Sequence, residues 1–231
     1  MIVLMSAFLL LSAFSCGGGN KANSTSEQNE ETVVNVPQFD ADSAYLYVKN
    51  QVDFGPRVPN TKEHVACGNY LAGQLEAFGA QVTNQYADLI AYDGTLLKAR
   101  NIIGSYKPES KKRIALFAHW DTRPWADNDS DEKNHKTPIL GANDGASGVG
   151  ALLEIARLVN QQQPELGIDI ILLDAEDYGA PQFYTGQHKE EFWCLGSQYW
   201  ARNPHVQGYN ARFGILLDMV GGEGSVFMKE G

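Results

Sequence analysis

Ile168-Asp169-Ile170-Ile171-Leu172-Leu173-Asp174-Ala175-Glu176-Asp177 is a short run of large apolar side chains that ends directly in carboxylates. Such a run marks a central strand buried on both faces. Phe213–Leu217, followed by Asp218, has the same form and is read the same way. Upstream, Arg113–Trp120 reads as another short buried strand, and Val82–Ile90 and Leu97–Tyr106 read as extended. Between Ala146 and Asn160 the residues Val149, Leu152, Leu153, Ala156 and Val159 fall on one helical stripe, with Pro164 as a stop. Leu71, Leu75 and Phe78 share a second helical face. Strands and helices therefore interleave. This predicts an α/β fold with a central mixed, mostly parallel twisted sheet flanked by helices on both faces, where ligands gather beyond the carboxyl ends of the strands.

Across 231 residues the chain carries 28 acidic and 18 basic side chains, a formal net charge of −10. No basic stripe is present, which argues against a nucleic-acid partner. Apart from residues 1–15 no apolar run approaches the ~20 residues of a membrane span, so a polytopic membrane protein is excluded. Residues 1–15 followed by Cys16 resemble a lipoprotein signal peptide, with Cys16 as the acylated residue. That predicts an exported, periplasmic protein whose membrane contact comes only through lipid on Cys16. Residues 16–38 are too polar to bury and read as a flexible tether, leaving 39–231 as one catalytic domain. Cys67 and Cys194 remain in that domain, with their pairing open. The chain stops at Gly231 just after an extended Ser225–Met228, which reads as a fragment incomplete at its C-terminus.

Four segments set ionisable groups at the ends of apolar strands. They are Phe117–Asp121 with His119, Gly141–Gly148 with Asp144, Leu173–Tyr178 with Glu176 and Asp177, and Leu217–Val220 with Asp218. Carboxylates that converge in a closed site repel one another and lose hydration, so they need a compensating cation. Carboxylate with imidazole suits zinc. The Asp127–Asp131 run imitates the start of a calcium loop, but Glu132 stands where that loop needs Gly and Pro138 where it needs Glu. Neither a Gly-x-Ser-x-Gly elbow nor a dinucleotide loop is present among the glycine clusters.

These words together resemble the zinc-dependent exopeptidase superfamily and, within it, the bacterial type II glutaminyl cyclases. The resemblance runs from about Ser43 onward and rests on His119–Asp127, Gly141–Ala146, Asp174–Gly179 and Trp193–Ser197. It implies Asp144 and Asp177 as zinc ligands, Glu176 as general base and acid, and Asp218 as the group that holds substrate. It also implies a further zinc His and another active-site Asp beyond Gly231. The expected activity is conversion of the N-terminal glutamine of peptides or proteins to pyroglutamate with release of ammonia, using one Zn2+. The alternative is a two-zinc aminopeptidase in which His119 and Asp218 hold one metal, Asp177 the other, and Asp144 bridges them. A non-catalytic binding domain on the same fold is the third reading. Because successive strand side chains point to opposite faces, Glu176 and Asp177 share one site only if the backbone turns out of its strand at Ala175–Tyr178. The stretch Gly179–Leu195 before Gly196-Ser197 favours the cyclase, with Phe183, Tyr184, Phe192 and Trp193 able to wall a small pocket. Trp120, Trp125 and a solvated Asp127–Glu132 loop are expected at its mouth.

Overall fold

The computed structural model describes residues 36–227. The chain separates into Met1–Val36 and Pro37–Gly231. The signal expected at 1–15, the acylated Cys16 and the tether as far as residue 35 lie outside the described residues, as does Met228.

Among the described residues the α-helices and strands follow in the order α1 (Ala41–Asp53), α2 (Lys62–Ala77), β1 (Gln81–Ile90), β2 (Leu96–Tyr106), β3 (Arg113–His119), α3 (Ala146–Gln161), β4 (Gly167–Leu173), α4 (Leu195–Arg202) and β5 (Gly214–Leu216). Four strands and the long helix form within one residue of the bounds read from the sequence. The strands make one mixed sheet in the order β1-β2-β4-β3-β5. β3 lies parallel between β4 and β5, and β2 joins β4 antiparallel and carries β1 as a hairpin.

Strand alternation explains why helices cover both faces. Ile102, Leu116, Ile170 and Leu172 point to one side and pack with Leu71 and Leu75 of α2 and Val149, Leu152 and Leu153 of α3. Their neighbours Ile103, Ala115, Ile171 and Leu173 point to the other side, toward Trp200 of α4 and Tyr209. Every residue of β4 is buried in consequence. At roughly 1.5–3 kcal/mol for each fully buried large aliphatic side chain, this strand is the centre of the apolar stabilisation.

The second apolar run behaves differently. Phe213–Leu217 was expected to be a strand buried on both faces, yet only Gly214–Leu216 is strand, and it lies at the sheet edge among the described residues. Ile215 is 44% and Leu216 63% exposed. β5 pairs on one side only, with β3, so an apolar run here records a preference for cover that the described residues do not supply. No strand forms over residues 225–227.

Candidate active site

Five ionisable groups, drawn from the four segments read in the sequence, meet at the carboxyl end of the sheet. His119 closes β3, Asp144 precedes α3, Glu176 and Asp177 follow β4, and Asp218 follows β5. The His119 side chain is 4% exposed, with Nε2 at 2.9 Å from Asp144 Oδ1 and 3.5 Å from Asp218 Oδ1. Its Nδ1 lies 3.4 Å from Asp121 Oδ1 and 3.9 Å from Glu176 Oε2. Two groups result, His119 with Asp144 and Asp218, and His119 with Glu176 and Asp177, each with ligand atoms within 4.8 Å of one another.

The turn after β4 places both acids in one site, as the strand geometry requires. Ala175 takes φ +52°, a conformation that costs a residue with a Cβ. Its N–H donates to Asp174 Oδ1 at 2.7 Å, and the N–H groups of Glu176 and Asp177 donate to Asp121 Oδ1 and Oδ2 at 3.1 Å each. Two buried carboxylates thus satisfy the donors that the turn removes from the sheet. On the far side, Cys194 N donates to the Glu176 carbonyl at 3.0 Å and Cys194 Sγ lies 3.3 Å from Glu176 Oε1.

The electrostatics are those of a site short of positive charge. Burial, followed by Asp121, Asp144 and Glu176, pushes the Asp177 carboxyl up to about 9. Burial pulls the His119 imidazole down, but Asp121, Asp144 and Asp218 outweigh it and hold it well above its ordinary range. Among the described residues Asp177 Oδ2 and His119 Nε2 are buried without a hydrogen-bond partner, although Asp144 lies close to the latter. Carboxylates and an imidazole around orphaned buried atoms form a donor set that fits a divalent metal, and zinc by its N/O preference.

A cavity beside this cluster is lined by Phe117, Glu176, Cys194, Trp200, Leu216 and Asp218. The aromatics expected to wall it lie elsewhere. Tyr184 packs on Tyr92 at 4.7 Å, and Phe192 and Phe183 pack edge-on with the rings of Tyr92 and Trp125, so these residues form a half-exposed aromatic cluster of their own. Trp193 covers the Arg123 guanidinium at 4.8 Å. Trp120 is fully buried rather than at the rim. Asp127 is also buried, locked to Arg123 by two bonds of 2.6 Å, while Asp129–Glu132 is exposed as expected. Among the described residues Cys67 and Cys194 form no disulfide, the first lying in the core and the second at the site. Sequence reasoning gave no role to Asp121, His64 or Cys194. Asp121 carried a signal, in that it follows His119 by two residues and so returns to the same face.

Comparison with known proteins is consistent with this site. The chain is similar to a Bacteroides thetaiotaomicron glutaminyl cyclase, solved bound to N-acetylhistamine, at 94% identity and TM-score 0.84 over 85% of this chain and 68% of that one. It is equally similar to a leucine aminopeptidase precursor from Bacteroides thetaiotaomicron VPI-5482, at 94% identity and TM-score 0.85 over 86% of this chain and 69% of that one. The protein YfbL of Escherichia coli K12 is 34% identical over 115 residues, which are 50% of this chain and 32% of that protein. The chain thus spans about a third of the length of that curated relative. Residues 101–230, which hold β3, α3, β4, α4 and β5 with all the clustered acids, match the model of peptidase family M28. The chain belongs to peptidase family M28.

Proposed function

We propose that this chain carries the active site of a zinc-dependent glutaminyl-peptide cyclotransferase acting on peptides or proteins with N-terminal glutamine. The observation that carries the reading is the 94% likeness to a glutaminyl cyclase, joined to the placement of Glu176 between His119 and an open cavity. Asp144 and Asp177 are the proposed zinc ligands, and Zn2+ held there would supply Lewis acidity toward the γ-carbonyl of the substrate glutamine. Glu176, its side chain 28% exposed, accepts a proton from the α-amine as the nitrogen attacks the side-chain carboxamide carbon, and returns it to the amide nitrogen as the C–N bond breaks and ammonia departs. Asp218, 42% exposed across the His119 ring, accepts a hydrogen bond from the amide nitrogen and orients it as leaving group.

A second reading is a two-metal aminopeptidase. It is favoured by the His119, Asp144 and Asp218 group and by the aminopeptidase precursor among the similar structures. Mass spectrometry separates the two. Zinc-loaded protein incubated with a Gln-initiated peptide is expected to remove one ammonia, to leave a Leu-initiated peptide intact, and to lose this activity in Glu176→Gln by at least ~10²-fold. Release of a free N-terminal residue establishes the peptidase instead.

A further inference from the structure

We infer that His64, on α2 and remote from the clustered acids in sequence, is a positioning residue for Glu176 through a buried bond to Asp174. This rests on the reading of Glu176 as the proton carrier. His64 Nε2 lies 3.0 and 2.9 Å from the two oxygens of Asp174. The imidazole side chain is 3% and the carboxylate 0% exposed. The indole of Trp120 stacks on the imidazole at 4.3 Å and 15°, and its Nε1 donates to Arg100 O at 3.1 Å, which fixes the ring plane. Thr61 caps α2 by accepting from His64 N, so the helix start sets the ring's origin.

Asp174 is the hinge between β4 and the turn that carries Glu176. Its Oδ2 accepts from Arg100 N at 2.6 Å, its Oδ1 from Ala175 N at 2.7 Å, and its own N–H donates to Asn101 Oδ1 at 2.9 Å. The remaining donors are main-chain groups of β2 and of the turn, which among the described residues leaves His64 as the side chain that holds this carboxylate. A fully buried carboxylate deprived of that partner rotates or takes up a proton, and either change releases the Ala175 N–H that helps hold φ at +52°. Glu176 and Asp177 then shift together, because Asp121 grips their adjacent N–H groups as a pair. The cavity walls Phe117, Trp200 and Leu216 lie outside this chain of contacts, so the defect falls on turnover rather than on substrate capture.

The test compares the full chain as wild type, His64→Gln, which keeps a donor near the Nε2 position, and His64→Met, which fills the space without one. Each is assayed on Gln- and Leu-initiated peptides and titrated with Zn2+ by calorimetry. His64→Met is expected to lower kcat by about 10- to 100-fold with KM within about threefold, as for an ångström-scale misplacement, and to weaken zinc about tenfold. His64→Gln is expected to keep at least about a third of both kcat and zinc affinity. If His64→Met melts below the assay temperature, His64→Asn takes its place with the same expectations, its donor being too short to reach Asp174. A His64→Met kcat and zinc affinity within threefold of wild type, or a His64→Gln no better than His64→Met, overturns the inference. Wild-type protein that releases no ammonia overturns the cyclase reading alone, and the variants are then judged on residue release and zinc binding.

Discussion

Asp177 is held where a carboxylate is least stable. Its Oδ2 is buried with no hydrogen-bond partner among the described residues, and Asp121, Asp144 and Glu176 all act on the carboxyl with the same sign. Asp177→Asn removes the charge and keeps the shape. In metal-free protein at neutral pH it is expected to stabilise by about 1 kcal/mol or more, a melting temperature higher by roughly 2–4 °C per kcal/mol for a domain of this size. The same variant is expected to lose most of the stabilisation that added Zn2+ gives the wild type, read by thermal melts with and without zinc. A lower metal-free melting temperature, or an undiminished zinc response, refutes the assignment of Asp177 as a metal ligand. At this scale the sequence was informative for residues that follow apolar strands, because a strand end fixes where the next side chain goes. Glu176 and Asp177 were legible for that reason. His64 was not, since a histidine in the first turn of a helix has no local signal that it reaches a carboxylate 110 residues away.

Turns and helix starts, rather than strands, give the site its tolerances. Gly196, in the first turn of α4, lies directly over the turn after β4, donating its N–H to Asp174 O at 3.0 Å, and a Cβ there would overlap the same carbonyl. Gly196→Ala is therefore expected to cost about 2 kcal/mol or more by displacing backbone, and to reduce turnover with it. Gly73→Ala in α2 meets nothing within 4 Å and is expected to be neutral or stabilising by up to ~1 kcal/mol. Urea denaturation of the pair is the measurement, and equal effects would mean that the α4 start yields easily. The elements themselves were legible wherever periodicity was long, as in α3, or burial was two-sided, as in β4. β5 was misread because its composition matches β4 while its cover does not. The aromatics of the Gly179–Leu195 stretch were misplaced for a related reason: Tyr92, on the β1–β2 hairpin, gathers Tyr184 and Phe192 from across the fold, and no spacing rule anticipates it.

Across the molecule, two sets of ionisable groups pull stability in opposite directions with pH. Asp127 is opposed by burial, but the Arg123 guanidinium and the Gln182 N–H hold its carboxyl below the usual range. A depressed folded pKa contributes stability that is present above the unfolded value near 3.9 and is lost as pH falls through the folded one. That pair ties the loop after β3 to the loop after β4, since Arg123 also donates to Asp177 O at 3.2 Å. Asp177 acts in the other sense. Its folded pKa of about 9 lies above the unfolded value, so each rise in pH between about 4 and 9 costs stability while no cation is present. His119, raised well above its ordinary value, favours the folded state below about pH 6.5 and loses that contribution as pH climbs through its folded value. Both site groups therefore make the metal-free protein weaker from pH 5 to pH 8, whereas Asp127 weakens it below pH 4. Zinc held by these acids would reverse the upper limb, because its ligands must be deprotonated and binding strengthens as protons leave. Denaturant midpoints measured from pH 4 to 9 in chelator and in zinc are expected to diverge, with the gap widening as pH rises and reaching about 2.7 kcal/mol where zinc is at 100 times its dissociation constant. Parallel curves would show that the clustered acids are not where the metal binds. A metal-free curve that rises from pH 5 to 8 would show that Asp177 finds a partner in solution.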